Sequence, residues 1–179
     1  RSILGKNPTK TELCNVLKES KNEETLARAA EMLLLKNPDE EALRLIIFRV
    51  EKMAKRTWSV LEKKQPSDKT INDILRHVQV LRSDVASYVF AQEDTKKNSC
   101  LCAIMVYVPY AQDRAASMLI DAAPTNHELL SIIEMNAKYR LRAWFRLMQK
   151  DPTYEDVVFV RDHIPGLSES AQRYIQKTF

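Results

Sequence analysis

Glycine is nearly absent from this chain, and the shortage restricts the folds that its 179 residues can adopt. Only Gly5 and Gly166 occur, which leaves few positions for the hairpin turns that require positive φ. Residues that favour helices, such as Leu, Ala, Lys, Glu and Arg, are abundant. We therefore expect few strands and an all-α fold.

Cysteine and long apolar runs are also scarce. The cysteines are Cys14, Cys100 and Cys102, an odd number, and the last two point in different directions on a predicted helix, so no disulfide framework is expected. No stretch approaches the ~18 uninterrupted apolar residues of a membrane span, and no signal peptide is recognisable. We expect a cytoplasmic protein without a membrane partner. The chain opens with Arg1 rather than Met, so we also expect it to be part of a longer protein.

Charge of either sign is not in large excess. The net charge is +4, from 28 Lys and Arg against 24 Asp and Glu. This mildly basic balance is far from the footprint of a dedicated nucleic-acid binder.

A repeat of 28 to 30 residues becomes visible when the prolines are aligned. The frame positions are Pro8, Pro38, Pro66, Pro124 and Pro152, with Asp94 in the remaining unit. The next residues are Thr9, Asp39, Ser67, Thr95, Thr125 and Thr153, all of which can cap a helix start. The predicted units cover 8–37, 38–65, 66–93, 94–123, 124–151 and 152–179, within a single domain spanning 1–179.

Each unit has the pattern of two helices. Capping boxes are predicted for Thr9 with Glu12, Thr125 with Glu128, and Thr153 with Asp156. Apolar residues at helical spacing follow, and the first helix then breaks, at Val108-Pro109, Asn136 and Ile164-Pro165. The second helix carries a small or β-branched residue in every unit: Ala29, Thr57, Val85, Ala115, Ala143 and Ala171. The fourth unit is the poorest copy, because Ser99 falls at its apolar position, and an irregularity is expected there.

This pattern resembles the helical-hairpin repeats of HEAT, armadillo and tetratricopeptide proteins. The resemblance covers nearly the whole chain, although the period is shorter than in those families. It implies a right-handed α-α superhelix, an α-solenoid of about six helical hairpins and about twelve helices. It also implies binding of a partner along a grooved face.

Arginine directly precedes the small residue in four of the six units. These positions, called the arginine row below, are Arg28, Arg56, Arg114 and Arg142, and we predict that they bind the partner. Their planar guanidinium groups suit acidic peptides or phosphates. Arg140, Arg146, Lys52 and Lys55 are expected to widen the row. The alternative is a structural ladder of salt bridges to acids such as Glu12, Glu41, Glu128 and Asp156.

The remaining chemically active residues fit structural roles better. His77 and His163 are repeat-equivalent at the end of a first helix and His127 lies in a first turn, so no metal site is expected. Trp58 and Trp144 share one repeat position, which favours packing over stacking on a ligand. No catalytic constellation and no cofactor motif is present, and no base is identifiable for a catalytic cysteine.

These observations predict a non-catalytic scaffold that binds another protein or peptide. If the arginine row is the binding surface, that protein or peptide is acidic. The alternative is a nucleic-acid-binding repeat protein that uses the arginine row and stacks bases on Trp58 or Trp144. A helical-repeat hydrolase or glycosylase is a third possibility and would need a charged cluster in a concave pocket. Apolar ends, with Ile3 and Leu4 at one side and Tyr174, Ile175 and Phe179 at the other, also allow self-association.

Overall fold

The regular structure of this chain is helical throughout the part described by the computed structural model, residues 7–92 and 97–179. These residues form twelve α-helices and five short 3₁₀ helices and contain no strand. The predictions of an all-α fold and of about twelve helices are therefore confirmed. The chain divides into two compact units, residues 1–88 and 89–179.

The first unit is built from consecutive helices that pack on their neighbours in the chain. The helices are α1 (Lys10–Glu19), α2 (Glu23–Leu34), α3 (Glu40–Arg49), α4 (Ala54–Leu61), α5 (Asp68–His77) and the greater part of α6 (Arg82–Ala91). Helix α1 packs on α2 and α3 packs on α4, and α1 also packs on α3. The first two hairpins are thus joined through their first helices, as in a helical repeat.

The second unit repeats the same arrangement. Its helices are α7 (Asn98–Tyr107), α8 (Gln112–Asp121), α9 (Asn126–Met135), α10 (Arg140–Met148), α11 (Tyr154–His163) and α12 (Ser168–Thr178). The pairs α7 with α8, α9 with α10 and α11 with α12 form hairpins, and α9 packs on both α7 and α11. Three packed helical hairpins therefore make up the described part of this unit from α7 to α12.

The predicted helix caps are present in five of the six hairpins. The side chains of Thr9, Asp39, Ser67, Thr125 and Thr153 each accept a hydrogen bond from a backbone N–H in the first turn of the following helix. Those of Thr9, Thr125 and Thr153 are completed as capping boxes by the acid three residues later. Each cap stabilises its helix by about 1 kcal/mol.

The fourth hairpin begins later than its sequence frame predicts. Helix α7 starts at Asn98, directly after Lys97, whose side chain makes no capping hydrogen bond. Asp94 and Thr95 themselves lie outside the described residues.

This shift of two residues also changes the alignment of the α7 core. Leu101, rather than Ser99, occupies the position of Leu13, and it is 4% exposed. Cys102 correspondingly matches Cys14. The irregularity expected in the fourth unit is therefore the later helix start, and the apolar register is intact once that start is used.

The break between the two helices of a hairpin is a buried residue with non-helical backbone dihedrals. Val50, Val78, Val108, Asn136 and Ile164 hold this position, with φ between −116° and −132° and ψ between 76° and 97°. In four of these hairpins a 3₁₀ turn follows at once. In the fifth the Asn136 side chain takes over, because its Oδ1 accepts a hydrogen bond from the backbone N–H of Tyr139 at 3.0 Å.

The connection from one hairpin to the next uses a left-handed residue that sequence analysis did not foresee. Asn37, Gln65, Ala123 and Asp151 have φ between 47° and 53°, and each directly precedes a frame proline. A left-handed residue ends a helix by turning the chain sharply, and proline then prevents its continuation. Positive φ costs a non-glycine residue about 1–2 kcal/mol, so the scarcity of glycine does not exclude these turns.

Candidate protein-binding surface

The arginine row lies on the outer side of the second helices. Arg28 on α2, Arg56 on α4, Arg114 on α8 and Arg142 on α10 are all exposed, and the small residue that follows each one is buried. The helical periodicity explains this, because the small residue must face the first helix of its hairpin. Each of the two units thus presents two arginines of the row to solvent.

The four arginines differ in their contacts. Arg142 forms a salt bridge of 2.6 Å to Asp121 of α8. The Arg114 guanidinium lies 4.4 Å from the centre of the Phe90 ring, a cation–π contact. Arg28 and Arg56 make no hydrogen bond or ion pair with any described residue. The row is therefore more accessible on α2 and α4 than on α8 and α10.

Three of the four acids proposed as ladder partners are occupied at the helix starts instead, and the fourth, Glu41, is exposed and forms no ion pair with a described residue. Glu12, Glu128 and Asp156 accept hydrogen bonds from the backbone N–H groups of Thr9, Thr125 and Thr153, at 2.7, 2.7 and 3.1 Å. The hydrogen bond from the Thr9 backbone also lowers the pKa of Glu12. Two of these acids extend the capping network to the preceding hairpin, because Asn98 donates to Glu128 and Asn126 to Asp156.

Arg140 belongs to the fold and not to the exposed row. Its Nε and Nη2 donate to the backbone carbonyls of Ile133 and Glu134 at the end of α9, at 2.8 and 3.4 Å. Arg82 and Gln112 make the equivalent bond to the first helices of their own hairpins. The expectation that Arg140 widens the row is wrong, whereas Arg146, Lys52 and Lys55 are exposed.

Both tryptophans are buried. Trp58 is 3% exposed and Trp144 is 5% exposed. The Trp58 ring packs edge-on against Tyr88, with 5.5 Å between ring centres. The packing interpretation is confirmed, and neither indole is accessible for stacking on a base.

The histidines and cysteines show no arrangement for chemistry. His163 hydrogen-bonds through Nδ1 to the carbonyl of Phe159 in its own helix. Within the described ranges no three His, Cys, Asp or Glu side chains are grouped to hold a metal ion. Burial, together with the nearby Glu128, raises the pKa of Cys102 to about 11, and burial and Asp39 raise the pKa of Cys14. Both thiols are therefore protonated and weakly nucleophilic near neutral pH.

The first unit contains a groove of about 470 Å³ between α1 and α3. Lys10, Lys18 and Arg44 line it together with Asp39 and Glu41. Because both signs of charge are present, the groove favours no single class of ligand.

The exposed apolar residues of α10 were not singled out in the sequence. Leu141 is 58% exposed and Phe145 is 65% exposed, and they are four residues apart on one side of the helix. Arg142 and Arg146 lie beside them with the same spacing, and both are exposed. This face, defined by Leu141, Arg142, Phe145 and Arg146, is called the α10 face below.

The α10 face differs from the equivalent face of every other hairpin. The residues at the places of Leu141 and Phe145 are Ala27 and Glu31, Lys55 and Ser59, Ser83 and Ser87, Asp113 and Ser117, and Glu169 and Arg173. All of these are small, polar or charged. Comparing the hairpins position by position in the sequence would have revealed the exception.

Comparisons with known proteins identify no relative: no family model, no curated protein and no solved structure matches the chain. In the part of the chain that the structure describes, every helix is too short or too polar to cross a membrane.

Proposed function

We propose that this chain is a non-catalytic protein-binding module and that the α10 face is its contact surface in the second unit. The observation that carries the proposal is the exposure of Leu141 and Phe145 beside two arginines. Exposed apolar side chains that cluster within a polar surface are typical of protein interfaces. Aromatic residues and arginine are also the types that contribute most to binding energy at such interfaces.

The other hairpins support the proposal because they show that the fold does not need these apolar residues. Helix α4, like α10, buries a small residue, a tryptophan and a leucine, yet it carries Lys55 and Ser59 on its outer side. The hairpin therefore folds with polar residues at these places. Leu141 and Phe145 have no role in packing that would explain them, so a role in binding is the better account.

Nucleic-acid binding is the alternative, and the burial of both tryptophans weakens its support. It relied on Trp58 or Trp144 as stacking platforms, and both rings are buried. Phe145 is an exposed aromatic ring, but Leu141 beside it adds nothing to base recognition, because stacking on single strands depends on aromatic faces.

The proposal includes two further predictions from the sequence, the superhelical arrangement of the hairpins and a cytoplasmic location. A superhelix like that of HEAT-type proteins would place equivalent helix faces in register, and the repeated hairpins support it. A cytoplasmic location is supported by Cys14, Cys100 and Cys102, which are all free thiols.

Photocrosslinking tests the proposed function with a built-in control. A photoreactive phenylalanine analogue is placed at position 145 on α10 or at the equivalent position 59 on α4, and each protein is irradiated in a lysate of its native cells. We expect nuclease-resistant adducts of higher mass from position 145 and few from position 59. Adducts from position 145 should disappear when Leu141→Lys is added.

Two results would contradict the proposal. Equal adducts from both positions would show that the α10 face has no preference for a partner. Adducts at position 145 that lose their added mass on nuclease treatment would assign the face to nucleic acid.

A further inference from the structure

The arrangement of the α10 face restricts the kind of protein that can bind it, and this inference rests on the function proposed above. Leu141 and Phe145 form an apolar row along the helix, and Arg142 and Arg146 form a cationic row beside it. Residues four apart lie one above the other on a helix, so both rows run parallel to the α10 axis. A matching ligand needs an apolar row and an anionic row with similar spacing.

The charge of α10 has one sign only. Its nine residues include three arginines and no acid. Arg140 is committed to the carbonyls that end α9, which leaves Arg142 and Arg146 for a ligand. Arg146 makes no hydrogen bond or ion pair with the described residues. The face is thus complementary to carboxylates, and electrostatic complementarity of this kind selects the partner and its orientation.

Asp121 is the internal group that competes for this surface. Its Oδ1 lies 2.6 Å from Nη2 of Arg142, and both side chains are more than half exposed. Exposed ion pairs contribute little to stability, so a carboxylate from a ligand can replace Asp121 at small cost. An acidic ligand must therefore compete with Asp121 for Arg142, and this competition lowers the affinity of the ligand.

We infer that the α10 face binds an acidic amphipathic helix of a partner protein. The apolar side chains of that helix cover Leu141 and Phe145, and its carboxylates pair with Arg142 and Arg146. Asp121 occupies Arg142 in the unbound protein and is displaced when the partner binds. A helix is the fitting conformation, because residues three and four apart supply both rows from one side of the ligand.

Fluorescence anisotropy with synthetic probes tests this inference on the full 179-residue chain. The probe is an 18-residue helical peptide with Leu and Phe four residues apart and Glu in the adjacent row. One control peptide has Lys in place of every Glu, a second has Ser in place of Leu and Phe, and an 18-nucleotide single-stranded DNA is the third control. The protein variants are Arg142→Gln with Arg146→Gln, Leu141→Lys with Phe145→Ser, Asp121→Asn, and Arg56→Gln on α4 as the matched control.

The expected pattern is specific to the two rows. The acidic amphipathic peptide binds, and both control peptides bind at least tenfold more weakly. Each double variant also weakens binding at least tenfold, whereas Arg56→Gln changes it less than twofold. Asp121→Asn strengthens binding about two- to fivefold, the range that corresponds to the loss of one exposed ion pair. Thermal denaturation of every variant verifies that the fold is retained.

Several results would overturn the inference. Equal binding of the acidic and lysine peptides would remove the role of the arginines, and weaker binding by Asp121→Asn would show that Asp121 contacts the ligand. Preferred binding of DNA that the arginine variant abolishes would overturn both this inference and the proposed function. A dimer lost in the Leu141→Lys with Phe145→Ser variant would assign the face to a second copy of the chain. Protein adducts at position 145 without peptide binding would contradict the acidic helix alone and leave protein binding intact.

Discussion

Helices α4 and α10 are the second helices of the second and fifth hairpins, and they are alike inside and different outside. Both bury a small residue followed by tryptophan, Thr57-Trp58 in α4 and Ala143-Trp144 in α10. Their outer sides share only one arginine of the row. Where α4 has lysine and serine, α10 has leucine and phenylalanine. The repeat therefore fixes the inner side of a second helix and leaves its outer side available for function.

The buried tryptophans provide the largest expected effect. Trp58→Ala and Trp144→Ala should each lower the free energy of unfolding by about 3–5 kcal/mol, because both remove a large ring from the packed interior. Chemical denaturation of the two variants measures this loss. Alanine substitutions of the arginines two residues earlier, Arg56 and Arg142, serve as controls and should cost about 1 kcal/mol or less. A tryptophan whose removal costs no more than its neighbouring arginine would show that the two inner sides are not equivalent.

Substituting the small residue beside each tryptophan should have an intermediate effect on the free energy of unfolding. Thr57 is completely buried, and its hydroxyl has no hydrogen-bond partner among the described residues. Thr57→Val keeps the shape and removes the unpaired hydroxyl, so it should raise the free energy of unfolding by about 1 kcal/mol. Valine already occupies this place in the third hairpin, at Val85. Denaturation midpoints of the wild type and the variant measure the difference.

The controls for Thr57 separate the hydroxyl from the methyl group. Thr57→Ser retains the hydroxyl and loses the methyl, and should lower stability by about 1 kcal/mol. On α10, Ala143→Thr should also be destabilising, because it adds an unpaired hydroxyl and extra volume to a fully packed position. A loss of stability in Thr57→Val would mean that the hydroxyl is paired in the folded protein.

Sequence reasoning reached the repeat and its inner side because those features are encoded locally. Thr9 and Glu12 form a capping box from residues three apart, and a proline marks where a hairpin can begin. The sequence frame misplaces the start of the fourth hairpin because no proline marks it. Helix α7 begins at Asn98, two residues later than Asp94-Thr95 predicts. Leu101 showed the true register, but only once the start of α7 was known.

The candidate site was only partly predictable. The exposure of Arg142 follows from the burial of Ala143, whereas its bond to Asp121 depends on packing between hairpins that the sequence does not specify. The apolar residues of α10 resemble core residues when α10 is considered alone. Alignment with α4 places Leu141 opposite Lys55 and Phe145 opposite Ser59, and it is this contrast that marks them as exposed.

Exchanging the outer sides of the two helices is the smallest expected change in stability and the most direct test of the comparison. Lys55→Leu with Ser59→Phe gives α4 the apolar row of α10, and Leu141→Lys with Phe145→Ser does the reverse. Each double variant should stay within about 0.5 kcal/mol of the wild type in chemical denaturation, because the exchanged side chains face solvent in both helices. A loss of 2 kcal/mol or more on α10 would mean that Leu141 and Phe145 pack within the protein, and their exposure would then have no bearing on a partner. Unchanged stability would mean that the two apolar residues are not needed for folding. The same α4 variant then shows whether Arg56 and two apolar neighbours suffice for partner binding.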